Sequence, residues 1–230
     1  MSGKLYLVSI PIGHYKDITL RALDVLKEVE FIVCEEYKEA RRFLSRHEIS
    51  KELISLNEHN EKETAPEVIE RLKRGDSAAL ISDCGTPLFS DPGHLLVNLA
   101  VSAKIKLVPL PGASSILPAL ITSNFDFEKF YYYGWLSPKK EIRQKELMNL
   151  KRMNETIVLM DTPYRLKTLL ADVSKYLGPQ TPVSLAYKIT MNEEDFIRGS
   201  VDKVLADCEK RSLKGEFVLI VDNKKQPSIR

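Results

Sequence analysis

The chain reads as an α/β protein: two α/β domains with mostly parallel central sheets. Three observations predict this class. Short continuous apolar runs alternate with amphipathic helical stretches from the first residues onward, as expected of strands buried on both faces. Loops rich in Gly and Pro close several of these runs. The pattern then restarts after Ser123-Asn124, so the 230 residues divide into an N-terminal domain expected at 1–113 and a C-terminal domain at 114–230.

Residues 5–10 form the first strand signal, closed by Pro11 and Gly13. Asp17 is the expected N-cap of a helix carrying Ala22, Leu23, Leu26 and Val29 inward. Residues 31–34 are a buried strand, 39–46 a basic helix and 53–56 a third strand. Thr64-Ala65-Pro66-Glu67 has capping-box spacing, with Gly75 as the stop. Residues 77–81 and 105–108 are strands, and 94–103 and 116–121 are helices. In the second half, 130–133 is a strand ending at Gly134, and 138–152 is a charged helix with Leu147 and Leu150 inward. Residues 156–160 are a strand. Thr162 and Pro163 then supply an N-cap and an N1 proline for a helix over 164–177. Strands at 183–186 and 196–199, a helix at 201–210 and a last strand at 217–221 complete the pattern. The polar, basic tail at 223–230 is expected to fray.

Hydrophobic residues make up 43% of the chain, enough for sizeable cores, and the 29% of charged residues argue against general disorder. The net charge of +2 permits nucleic-acid binding through a local patch without requiring it. The three cysteines, Cys34, Cys84 and Cys208, are odd in number and far apart, which favours free thiols in a reducing compartment. The four histidines form no zinc pattern with them, so no metal site is expected. No apolar run approaches the roughly 18 residues that span a bilayer, and the N-terminus lacks a signal-peptide core. A soluble, cytoplasmic protein is expected.

Two loops carry the functional signal. Ser82-Asp83-Cys84-Gly85-Thr86-Pro87-Leu88-Phe89-Ser90-Asp91-Pro92-Gly93 lies between a strand and a helix. Its small residues leave a bare backbone that a ligand can approach closely. Pro109-Leu110-Pro111-Gly112-Ala113-Ser114-Ser115 is a second such loop at a second strand end. In open α/β sheets, ligands bind outside the strand carboxyl ends. Each loop alone is equally compatible with an ordinary strand-to-helix turn. The Walker loop, the G-x-G-x-x-G fingerprint and the G-x-S-x-G elbow are all absent.

These loops, together with residues 5–13, Asp17-Ile18-Thr19-Leu20-Arg21-Ala22-Leu23 and Lys214-Gly215-Glu216-Phe217-Val218-Leu219, resemble one family in order and spacing over nearly the whole chain. It is the tetrapyrrole-methylase-like class of S-adenosylmethionine-dependent methyltransferases. Within it, the chain is most similar to the bacterial branch that methylates a cytidine ribose 2′-hydroxyl of small-subunit ribosomal RNA. The resemblance implies a cofactor cleft between two α/β domains, a homodimer, and ribosomal RNA or the small ribosomal subunit as partner. It implies S-adenosylmethionine contacts from Ile12, Asp83, Gly85, Thr86, Gly112, Ser114, Ser115, Met160 and Ala186. Core packing is an equal alternative for Ile12, Met160 and Ala186.

The chain departs from the branch at His14, at Glu35-Glu36-Tyr37-Lys38, at Asp161-Thr162-Pro163-Tyr164-Arg165 and at Ala186-Tyr187-Lys188-Ile189-Thr190-Met191. The cofactor-facing loops match and the acceptor-facing positions do not. A tetrapyrrole, a modified protein side chain, or a silent binding role stay open as alternatives. Methyl transfer to a ribose hydroxyl needs alignment and a positioned base. Glu35, Glu36, Asp161 and Lys188 are the candidates at strand ends, with Arg165 to bind a phosphate or orient a carboxylate. Lys38, Arg41, Arg42 and Arg46, and Lys139, Lys140, Arg143 and Lys145, form two basic clusters suited to RNA, if they are not simply solvated faces.

Overall fold

The computed structural model describes residues 2–224, so residues 225–230 of the tail lie outside the described residues. The chain falls into two compact units, Met1–Ser114 and Ser115–Arg230. No helix among the described residues is long and apolar enough to cross a membrane.

The first unit runs β1 (Lys4–Val8), α1 (Leu20–Glu28), β2 (Phe31–Cys34), α2 (Tyr37–Arg46), β3 (Glu52–Ser55), α3 (Glu61–Arg74), β4 (Ala78–Leu80), α4 (His94–Ser102) and β5 (Lys106–Leu110). The sheet order is β3-β2-β4-β1-β5, and every ladder is parallel. Successive side chains of a strand leave opposite faces. Val8, Ile32, Cys34 and Ala79 accordingly pack with α1 and α2, while Leu5, Phe31, Val33, Ala78 and Leu80 pack with α3 and α4. The central strands β2 and β4 are buried on both faces, which is why they read as continuous apolar runs.

Two helix starts differ from expectation. Thr19, not Asp17, caps α1: its backbone is extended and its hydroxyl accepts from the Ala22 amide at 3.1 Å. Asp17 instead sits in a turn, its amide bonded to the His14 carbonyl. α3 starts at Glu61, so Thr64 lies inside the helix, along with Pro66. Asn57 organises that start, its Oδ1 accepting from the amides of His59 and Asn60.

The second unit runs α5 (Ile116–Thr122), β6 (Phe130–Trp135), α6 (Lys140–Leu150), β7 (Thr156–Met160), a 3₁₀ turn (Pro163–Arg165), α7 (Leu166–Leu177), β8 (Pro182–Tyr187), β9 (Asp195–Ser200), α8 (Val201–Lys210) and β10 (Phe217–Asp222). Its sheet order is β6-β7-β10-β8-β9. Only β6 and β7 pair in parallel; the β7–β10, β10–β8 and β8–β9 ladders are antiparallel. The parallel expectation therefore holds for the first sheet but not for most of the second. The connection over 188–194 carries no helix, so β8 and β9 can be joined only as antiparallel neighbours. The Thr162-Pro163 start also holds with a difference: Thr162 is extended but makes no side-chain cap bond, and a 3₁₀ turn precedes α7.

One core cluster lies between the second sheet and its helices, with Leu147 and Leu150 of α6, Leu166, Leu169 and Leu170 of α7, and Val204 and Cys208 of α8. Arg198 of β9 holds the C-terminal end of α5 by donating from Nε to the Thr122 carbonyl at 2.8 Å. None of Cys34, Cys84 and Cys208 is in a disulfide; Cys34 and Cys208 are buried and Cys84 is exposed.

Candidate functional site

All five strands of the first sheet are parallel, so their carboxyl ends share one edge. The loops after β1, β4 and β5 meet there. The Ile10 amide donates to the Gly85 carbonyl at 2.9 Å and the Gly85 amide returns to Ile10 at 3.1 Å. This bridge fixes the β4 loop against the β1 loop. The Ser9 and Thr86 hydroxyls lie 3.0 Å apart; Ser9 also reaches the Leu110 carbonyl and Thr86 the Ala113 carbonyl, each at 3.1 Å. Two hydroxyl protons serve three contacts, so the three loops are stitched by a network that can shift its protons.

Two glycines keep this edge bare. Gly85 has φ 76, in the left-handed region, and a Cβ there would stand 3.2 Å from Ile12 Cγ2. A Cβ on Gly112 would stand 2.7 Å from the Ser9 Cβ, a distance real Cβ contacts do not adopt. Ser9 is not among the expected site residues; its one sequence signal is a hydroxyl in an otherwise apolar strand run. Of the expected residues, the structure brings Ile12, Asp83, Gly85, Thr86, Gly112 and Ser114 to this edge of the first unit.

Carboxylates gather at the same edge. Burial first, then the Asp83 charge, pushes Glu35 above the usual carboxylate range. Burial also raises Asp83, whose Oδ1 accepts the Glu36 amide at 3.3 Å, and it raises Asp91 with help from Asp83. A raised carboxylate holds a proton more tightly than an ordinary one, which is the direction a proton acceptor needs. Glu61 of α3 does a different job: its Oε1 accepts from the Gly93 and Leu95 amides at 3.0 and 2.8 Å and so anchors the start of α4. Among the described residues, no His/Cys/Asp/Glu group could hold a metal ion.

In the second unit, the β7 and β8 carboxyl ends and the start of β10 share an edge, because Val218 pairs with Met160 and Phe217 with Tyr187. Met160, half-buried, accepts a long bond from the Tyr132 hydroxyl at 3.7 Å. Ala186 is buried in the sheet. Asp161 is buried, and burial raises its carboxyl despite the Thr162 amide and Arg165. Arg165 Nε lies 3.3 Å from Asp161 Oδ2, close enough to pair but not aligned as a hydrogen bond. Lys188 is in the left-handed region, φ 47, and its ammonium donates to Glu193 at 3.0 Å. That bond, more than any other influence, raises its pKa and holds it protonated. In this pairing Lys188 presents a positive charge beside Glu193.

The two basic clusters differ in exposure. Lys38, Arg41, Arg42 and Arg46 on or beside α2 are exposed, with Arg42 paired to Glu39 and Arg41 over the Tyr37 ring. Lys139, Lys140 and Lys145 are exposed too. Arg143 is not: it is buried, its Nε donating to Asp172 at 2.6 Å and its Nη1 to the Ser137 and Pro138 carbonyls at 3.0 Å. The helical period turns it inward, so it leaves the RNA-facing set.

A family model described as Tetrapyrrole (Corrin/Porphyrin) Methylases matches residues 4–205. The chain is 37% identical over 227 residues to the ribosomal RNA small subunit methyltransferase I of Bacillus subtilis (strain 168), covering 99% of this chain and 77% of that protein. Two solved structures share the fold. A cobalamin biosynthetic enzyme, cobalt precorrin-4 methyltransferase, aligns with a TM-score of 0.71 at 16% identity over 95% of this chain and 94% of its own. A uroporphyrin-III C-methyl transferase from Thermus thermophilus, complexed with S-adenyl homocysteine, aligns with a TM-score of 0.66 at 16% identity over 95% and 97%.

Proposed function

The chain belongs to the tetrapyrrole methylase family, in its ribosomal RNA small subunit methyltransferase I group, and on that premise we propose that it transfers a methyl group from S-adenosylmethionine to the ribose 2′-hydroxyl of a cytidine in small-subunit ribosomal RNA. The observation that carries the acceptor is the 37% identity, over 99% of this chain, to a ribosomal RNA small subunit methyltransferase I. The bare edge of the first sheet fits the cofactor, since both glycines hold open space that a side chain would fill. When bound, S-adenosylmethionine supplies an electrophilic methyl group on a sulfonium.

The first unit's Ile12, Asp83, Gly85, Thr86, Gly112 and Ser114 are proposed as cofactor contacts, with Ser115, Met160 and Ala186 from the second. Amides and carbonyls of the glycine loops suit the carboxylate and ammonium of an amino-acid group. Glu35 and Asp161, both raised by burial, are the proposed proton acceptors. Arg165 and the protonated Lys188 are proposed to hold phosphate or developing negative charge. A ribosomal acceptor implies a cytoplasmic enzyme, and the family resemblance carries a homodimer, to be checked by light scattering.

The test is mass-spectrometric mapping of ribose methylation on small-subunit RNA, from cells with and without the gene and from purified subunits treated with the protein. One cytidine that loses its 2′-O-methyl group without the gene, and regains it in vitro, is the expected result. Cofactor binding without any RNA product would turn the reading toward a tetrapyrrole or protein acceptor.

A further inference from the structure

Tyr164 stands on the 3₁₀ turn directly after Asp161, yet it takes no part in the core. Its side chain is 78% exposed. The Lys214 ammonium lies 4.2 Å over the ring centroid, reaching it from the turn between α8 and β10. Beside the ring is a concavity of about 250 Å³ lined by Pro163, Tyr164, Lys167, Ser212, Leu213 and Lys214. Two of these six are cationic and none is acidic. A larger hollow beside α2, about 670 Å³, is different: there Arg41 and Lys51 are offset by Glu48 and Glu52.

We infer that Tyr164, Lys167 and Lys214 form a contact for single-stranded RNA, with a base stacked on the Tyr164 ring and an adjacent phosphate on the two lysines. The inference rests on the ribosomal RNA reading above and deepens it. Unpaired bases stack on exposed aromatic rings, and lysines neutralise the phosphates between them. The size fits part of a polymer better than a whole enclosed ligand, since small-molecule sites usually occupy about 300–1,000 Å³. The place fits as well. Tyr164 lies one residue from Arg165 and three from Asp161, and the β7–β10 pairing brings the β10 turn to the same edge. A nucleotide held here is next to the groups proposed to act on its neighbour.

The experiment measures fluorescence anisotropy of a labelled single-stranded RNA from the small-subunit sequence, over a range of salt. Calorimetry with S-adenosylmethionine and a thermal melt accompany each variant. Tyr164→Ala should weaken RNA binding about tenfold or more, and Tyr164→Phe should keep it, because the ring stacks without its hydroxyl. Lys167→Glu with Lys214→Glu should flatten the dependence of log K on log salt by about 0.7 for each phosphate no longer neutralised. Cofactor affinity and melting should stay at wild-type values. If Tyr164→Ala binds RNA as the wild type does, the ring is only solvated; the inference falls and the ribosomal reading stands. If Tyr164→Phe is as weak as Tyr164→Ala, stacking is overturned. If the wild type binds no RNA at any salt, the ribosomal reading itself fails.

Discussion

Arg143 and Arg165 converge on one backbone carbonyl, that of Ser137, from 3.0 and 3.3 Å. Each also meets a carboxylate, Asp172 and Asp161 respectively. The loop after β6 is thus tied to the turn after β7 and to α7 by two guanidiniums. A guanidinium can do this because its donors form a rigid fork.

Arg143→Ala should destabilise the second unit by about 3 kcal/mol, because it leaves the half-buried Asp172 carboxylate without its partner. Urea unfolding followed by circular dichroism would measure it. RNA retention by the folded variant should match the wild type. A loss of RNA binding at unchanged stability would restore Arg143 to the RNA-facing set.

Gly112→Ala and Gly85→Val should each lower S-adenosylmethionine affinity at least tenfold. The first drives a Cβ into Ser9, the second adds a branched side chain at a positive φ against Ile12. Calorimetry on protein freed of carried-over cofactor reads this directly. Wild-type affinity in both variants would remove the glycine loops from the cofactor site.

Asp91→Asn should stabilise the protein near neutral pH. A carboxyl raised in the folded state binds its proton more tightly there than in the unfolded chain. Its penalty is absent below the ordinary value of 3.8, grows as pH rises, and is complete above the raised folded value. The gain in melting temperature should therefore grow as pH rises above 3.8 and vanish as pH falls below it. Because Asp91 also helps to raise Glu35, the acid limb of the activity profile should move to lower pH if Glu35 accepts the proton. An unmoved limb would shift that role to Asp161.

Reversal of Arg41, Arg42, Lys139 and Lys140 to Glu should abolish RNA retention on a filter while leaving cofactor affinity intact. All four side chains are exposed, so folding tolerates the change. RNA binding that survives all four reversals would make both surfaces ordinary solvated faces.

Strands are legible because buried strands are continuous apolar runs, and the runs at Phe31–Cys34 and Thr156–Met160 coincide with the observed strands. Pairing direction is not legible, because a strand buried on both faces reads alike in either orientation; only the short β8–β9 connection carries that information. The α1 start lies two residues beyond its expected place because Asp17 and Thr19 have equal cap chemistry and only backbone geometry separates them. The glycine loops are legible as bare backbone. Ser9 is not, since a lone hydroxyl in a strand gives no hint that two other loops will reach it. Arg143 and Lys188 show the limit for charged residues. Composition counts their charge, but burial against Asp172 and pairing with Glu193 decide what that charge can do.

The position of β1 within its sheet sets an order on synthesis. β1 pairs with β4 and β5 and not with β2, so Leu5 waits for Ala78 on one side and Leu107 on the other. While the ribosome makes the intervening chain, the earliest strand has no native neighbour. It stays an open edge for about a hundred residues of elongation, ~5–20 s at typical rates of synthesis. Such an edge invites pairing with the wrong chain. The first unit therefore depends on whatever shields residues 4–8 from the moment they leave the ribosome until β5 closes the sheet.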